Sequence, residues 1–164
     1  MTSCSEPQGS FSDQPTLMEG LHIKWTKPGV PTPEQFELRR IVFHEEQGFP
    51  HDKVCDELDV LCHQCLITDS NHKLVGCSRI CPHSEEDAWV LDRIAVMEEF
   101  RGKGIGRYVV RVAMNYAQLL GAKRFVLVNA EVSVIPFYQK LGFKIDGEPF
   151  MEEHCPVIKM TRAA

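Results

Sequence analysis

Apolar and polar positions divide the chain into short alternating runs and two longer periodic ones. Leu21 to Trp25 alternates and predicts a first strand, which Lys27-Pro28-Gly29 breaks. Thr32-Pro33-Glu34-Gln35 opens a helix: Thr32 can cap, Pro33 suits the first helical position, and Gln35 completes a capping box. That helix is expected to run to about Glu46 and to stop near Gly48 and Pro50. Leu61 to Thr68 and Leu74 to Ile80 read as strands joined by the turn cluster Asp69-Ser70-Asn71-His72, and Ala88 to Val96 as the next strand. From about Gly104 to Leu120, apolar residues recur at Ile105, Val109, Val112, Ala113, Tyr116 and Leu120, the spacing of a half-buried helix. Arg107 and Arg111 fall on its wet side, and Gly121 stands where a left-handed cap belongs. Phe125 to Val128 predicts a short apolar strand and Ser133 to Leu141 a short helix with Pro136 in its first turn. Phe143 to Ile145 and Val157 to Met160 predict closing strands. The sum is a mixed α/β (α+β) domain with helices on both faces of one sheet.

Composition narrows this picture. The 164 residues suit a single domain, taken as 16–164 after a polar, flexible leader over 1–15. No apolar run approaches the roughly 18 residues of a membrane span, and Met1 to Gln14 holds no secretory apolar segment. A cytoplasmic protein without membrane contact is the expectation. The net charge of −5 argues against nucleic acid as main partner and suits a cationic substrate slightly better. Seven cysteines without a secretory signal predict free thiols in a reducing compartment. Cys62-His63-Gln64-Cys65 has a metal-like spacing, but in a strand residues 62 and 65 point to opposite faces, so no metal site is expected.

The chemistry concentrates in Glu98-Glu99-Phe100-Arg101-Gly102-Lys103-Gly104-Ile105-Gly106, between a predicted strand and an amphipathic helix. Three alternate glycines let the backbone turn tightly and approach a ligand. The unpartnered N–H groups and dipole of the following helix make an anion site that a pyrophosphate fits, and Arg101 and Lys103 add charge. The spacing supplies neither the G-x4-G-K-[ST] of a P-loop nor the G-x-G-x-x-G of a dinucleotide fold.

Arg101-Gly102-Lys103-Gly104-Ile105-Gly106 resembles the [RQ]-x-x-G-x-[GA] signature of the GCN5-related N-acetyltransferase (GNAT) family. Leu91-Asp92-Arg93-Ile94-Ala95-Val96 resembles that family's fourth strand, and Ile135 to Phe143 its late FY-x-K-x-GF segment. Arg40 to Gln47, Glu57-Leu58-Asp59, His63 and Gly147 to Glu153 are similar to the ElaA-type subgroup. Asn129-Ala130-Glu131 and His154-Cys155-Pro156 depart from it. The resemblance implies a mixed, mostly antiparallel sheet and transfer of acetyl from acetyl-CoA directly to a small-molecule primary amine, with homodimers frequent.

The same resemblance implies that Ile94, Ala95 and Val96 lend backbone to the pantetheine arm, with an N–H near Ile94 holding the thioester oxygen. Arg101, Gly102, Lys103, Gly104, Ile105 and Gly106 would hold the pyrophosphate. Asn129, Phe137 and Lys140 join the coenzyme site. Tyr138 takes the general-acid position, and Asp92, Glu131 or a water chain is left as base. Glu46, Glu57 and Asp59 stand in segments that could face a cationic acceptor. An amino sugar phosphate or peptide amine remains an alternative acceptor, and a non-catalytic acyl-CoA-binding module an alternative class.

Overall fold

The structure, a computed structural model, describes residues 18–164, so the leader expected over 1–15 lies outside the described residues. Eight strands form one sheet: β1 (Leu21–Thr26), β2 (His63–Asp69), β3 (Leu74–Pro82), β4 (Ala88–Val96), β5 (Arg124–Glu131), β6 (Lys144–Ile145), β7 (Phe150–Glu152) and β8 (Cys155–Ala163). Their order is β1-β2-β3-β4-β5-β8-β6, with β7 also paired to β8. Every pairing is antiparallel except that of β4 with β5. Three α-helices join them: α1 (Pro33–Arg39), α2 (Ile105–Leu119) and α3 (Ile135–Lys140). This is the single sheet with helices on both faces that the hydrophobic pattern predicts, and it is mixed and mostly antiparallel as the family resemblance implies.

Local chemistry sets the helix limits. Thr32 and Gln35 close the capping box, with Thr32 N–H donating to Gln35 Oε1 at 2.8 Å and Gln35 N–H to Thr32 Oγ1 at 3.3 Å. The helix expected to continue to Glu46 instead widens into a π-helix over Arg40–Glu46, where Gln47 N–H donates back to the Val42 carbonyl. Such widening shifts side chains off the α-helical face and is frequent at functional sites. Strand β5 runs past the expected Val128 to Glu131, because Asn129 and Glu131 break the apolar pattern without ending the strand. Strand β7 is too short for periodicity to find.

The core lies on both faces. On one, Val110, Ala113 and Met114 of α2 pack with Leu91, Phe125, Leu127 and Met160. Gly76 permits this close approach: a Cβ there would lie 3.0 Å from the Val109 side chain and 3.1 Å from the Ala95 carbonyl. On the other face, Leu38 and Val42 pack on Leu66, Cys77 and Ala95. Beside that cluster lies a buried polar hub. Arg39 reaches Asp59 at 2.9 Å and also bonds Gln64, while Arg79 reaches Asp59 at 3.0 Å and Asp56 at 2.6 Å. Arg39 and Arg79 are each 1% exposed and Asp59 2%. A buried charge survives only when paired, and here each is.

The expectation that all seven cysteines are free thiols is corrected. Cys62 and Cys81 form a disulfide, with Cα atoms 4.6 Å apart. The register explains it: His63 pairs with Ile80, so the preceding residue of β2 stands opposite the following residue of β3. Cys55, Cys65, Cys77 and Cys155 are free. Cys4 lies outside the described residues.

Candidate active site

Strands β4 and β5 pair only at Ala88 with Arg124, Trp89 with Phe125 and Val90 with Val126. Both then continue, to Val96 and Glu131, without pairing to each other. The strands splay into a wedge, leaving a row of backbone donors and acceptors between them that a partner must satisfy. A cleft fills the wedge and is lined by Ile94, Ala95 and Val96 on one side and by Leu127, Asn129 and Glu131 on the other.

Strand β4 carries one extra residue against β3. Cys77 faces Ala95 and Arg79 faces Asp92, so two residues on β4 oppose one on β3. Arg93 absorbs this bulge at φ 49°, a left-handed conformation unusual for a non-glycine residue. Its carbonyl accepts from Cys77 Sγ at 3.3 Å. Peptide planarity then turns the Ile94 N–H away from Cys77. The bulge thus lies where the cleft begins.

The glycine turn closes one end of the cleft. Gly102 and Gly104 have φ of 76° and 78°, and a Cβ on either would meet nothing within 4 Å. The backbone itself, not crowding, requires glycine there. Gly104 caps α2, and among the described residues no side chain caps the first amides of that helix. Arg101, Gly102, Lys103 and Gly104 are exposed, Ile105 is buried and Gly106 lines the cleft. Uncapped amides, the helix dipole and free backbone suit a diphosphate. The Arg101 guanidinium is already engaged, bonding Glu46 at 2.6 Å and the Val96 carbonyl at 2.9 Å. Phe137 of α3 packs within 3.5 Å of where a Gly106 Cβ would be, so α3 leans on the start of α2.

That contact brings Tyr138 into the cleft wall. Its ring packs edge-on against Phe137 and Phe143, and no group among the described residues bonds its hydroxyl. Burial, and then the charge of Glu131, push the phenol up to about 12. A phenol so shifted keeps its proton and can donate it. Glu131 is half-buried and lines the same cleft. Asp92 lines it too, but both its oxygens are held by Arg79, at 2.7 and 2.9 Å.

The other residues expected from sequence scatter. Asn129 lines the cleft and donates to Glu152 at 2.6 Å. Lys140 is exposed on the last turn of α3, outside the cleft lining. Glu46 pairs with Arg101 rather than lining the cleft. Glu57 is exposed on the turn Glu57–Leu61, and Asp59 is buried in the polar hub, so neither faces the cleft. Burial raises the Asp59 carboxyl, but Arg39, the Asp56 amide and Arg79 outweigh it and hold it at about 2. Phe43, Gln47, Phe49, Lys53 and Glu152 also line the cleft, at positions that no spacing in the sequence marks. Phe43 comes from the π-helix, whose widening no apolar spacing announces.

The profile of the Acetyltransferase (GNAT) domain matches residues 62–145, from the edge of β2 through β6. The chain belongs to the GNAT acetyltransferase family. The Bacillus subtilis protein YyaT is 32% identical to this GNAT chain over 133 residues, 79% of this chain and 86% of its own. Escherichia coli ElaA superimposes with a TM-score of 0.72 at 24% identity, covering 86% of this chain and 99% of ElaA. A GNAT family acetyltransferase from Elizabethkingia anophelis with acetyl-CoA bound superimposes with a TM-score of 0.68 at 21% identity, covering 90% of this chain and all, 100%, of its own. Within this fold the splayed strands β4 and β5 form the parallel pairing of the sheet, and every other pairing among the described residues is antiparallel.

Proposed function

We propose that this GNAT protein is an N-acetyltransferase that moves the acetyl group of acetyl-CoA directly to a primary amine of a small molecule, with 16–164 as its catalytic domain. The observation that carries the reading is the meeting of three features in one cleft: unpaired backbone of β4, the uncapped start of α2, and the Tyr138 hydroxyl. The neighbour from Elizabethkingia, described with acetyl-CoA bound, supports the choice of coenzyme.

In this reading the Ile94 to Val96 backbone pairs with the amide-bearing pantetheine arm as an added strand would. The amides of Gly102 to Gly106 take the diphosphate, and the Ile94 N–H, turned by the bulge, steadies the thioester oxygen. Tyr138 hands its proton to the departing sulfur. Glu131 receives the proton of the attacking amine, directly or through water, because it is a cleft carboxylate that no ion pair engages among the described residues. Asp92, fully occupied by Arg79, holds the wall in place instead.

Thiol release from acetyl-CoA across a panel of amines, wild type beside Tyr138→Phe, tests the reading. One amine turned over, with a hundredfold or greater loss in the variant while coenzyme A still binds, is expected; about 10²–10⁴-fold is the usual worth of a positioned acid. Coenzyme binding without turnover of any amine would favour a binding module. Absence of both sinks the proposal.

A further inference from the structure

The cleft's charged groups can be cancelled against their own partners. Asp92 is spent on Arg79. Arg93 is spent on Asp56 at 3.0 Å, with Asp92 3.8 Å away. What remains along the cleft is a cation on one wall and carboxylates on the other. The cation is Lys53, which ends the turn His51–Lys53, is exposed and has no ion-pair partner among the described residues. Its backbone is anchored: the Lys53 N–H donates to the Pro50 carbonyl at 2.9 Å, and its carbonyl accepts from Arg93 beside the β4 bulge at 3.5 Å. The carboxylates are Glu131 at the end of β5 and Glu152 on β7, the latter accepting the Asn129 amide. Phe43 and Phe49 supply apolar surface in the same cleft.

This arrangement suits a simple amine badly. An ammonium entering the cleft is drawn to Glu131 and Glu152 but repelled by Lys53, and an unpaired like charge acts as a bar to the wrong ligand. An acceptor that brings its own anion turns the repulsion into a contact. We propose that the acceptor carries an anionic group, carboxylate or phosphate, as well as its amine, with the amine toward Glu131 and the anion on Lys53. Phe43 and Phe49 grip the carbon skeleton between them. The inference rests on the acetyltransferase reading above and names the substrate class of that same site. It makes Lys53 a specificity-determining residue and leaves the chemistry to Tyr138 and Glu131.

The test uses acetyl-CoA with acceptors matched in skeleton and differing in the second group. One set is hexylamine, aminohexanamide, aminohexanoate and aminohexyl phosphate; the other is phenethylamine, phenylalaninamide and phenylalanine. The acidic members are expected to exceed their neutral partners about tenfold or more in kcat/KM, the worth of one charge-assisted contact. Carboxylate and phosphate members show which anion is preferred. Lys53→Met should remove that advantage by raising KM for the acids, and Lys53→Arg should restore it. Calorimetric titration with coenzyme A checks that both variants fold. Neutral amines acetylated as well as acidic ones, or an acid preference indifferent to Lys53→Met, overturns this proposal and leaves the acetyltransferase standing. A loss of coenzyme affinity in Lys53→Met overturns it too, by assigning Lys53 to the coenzyme. Failure of every acceptor overturns both.

Discussion

Tyr138 keeps its proton throughout the range in which an enzyme works, because burial and then the charge of Glu131 push its phenol up to about 12. Two consequences follow from that one side chain. The alkaline side of the pH profile should stay flat past the point where the amine deprotonates, since the acid itself does not titrate there. Replacing Glu131 by Gln removes a negative charge that opposes tyrosinate, so the phenol of Tyr138 should titrate at lower pH. Ultraviolet difference titration against Tyr138→Phe isolates that one phenol among the three tyrosines of the chain. Glu131→Gln should also lower kcat, by about tenfold to a thousandfold, if Glu131 is the base. An unmoved phenol would mean that Glu131 is too far away to serve either role. Tyr138 was legible in the sequence because its motif is contiguous. Lys53 was not, because one lysine in a short turn gives no pattern, and only the chain's return beside Arg93 puts it in the wall.

The elements that build the site differ in how plainly the sequence writes them. The glycine turn and α2 are contiguous, so pattern and spacing found both. Gly104 adopts φ 78° with open space where a Cβ would stand, so Gly104→Ala fits sterically but must hold a left-handed conformation, at about 1–2 kcal/mol. That strain should reappear as coenzyme A affinity roughly tenfold weaker, measured by calorimetry, with little change in fold by circular dichroism. An affinity equal to wild type would mean that the turn does not hold the diphosphate. The Cys62–Cys81 pair is the opposite case: no spacing in the sequence joins the two, and only the β2–β3 register places them face to face. The bridge ties the end of the Glu57–Leu61 turn to β3. Closing a separation of 19 residues is worth about 3 kcal/mol. Reductant should therefore lower the wild-type melting temperature, and Cys62→Ser should melt at the lower temperature whether or not reductant is present. Equal melting of wild type with and without reductant would show that the bridge contributes nothing.

Across the whole molecule, the sheet was readable because its strands carry strong apolar runs, while the polar hub under α1 was not. No apolar spacing marks Arg39, Gln64 or Arg79 as buried, and Glu57 and Asp59 stand in a segment that could face an acceptor. Burial decides otherwise, since Asp59 finds two buried guanidinium groups that keep it ionised inside the fold. The hub joins α1, the Glu57–Leu61 turn, β3 and, through Arg79 and Asp92, the wall of the cleft. Its charge state therefore bears on both stability and site geometry. Asp59 is held at about 2, below the ordinary 3.8, so ionised Asp59 favours the folded state. The contribution is complete above about pH 4 and fades as pH falls toward 2, by roughly 1.4 kcal/mol per unit of depression. Urea unfolding at a series of acidic pH values should show stability declining across that window. Asp59→Asn should remove that decline, and at neutral pH should cost about 3–5 kcal/mol, because Arg39 and Arg79 lose a buried counter-charge. If the hub holds the cleft wall, Asp59→Asn should also weaken coenzyme A binding at neutral pH, at temperatures where the variant is still folded. A variant that loses stability but binds coenzyme A as tightly as wild type would show that hub and cleft share Asp92 without being coupled.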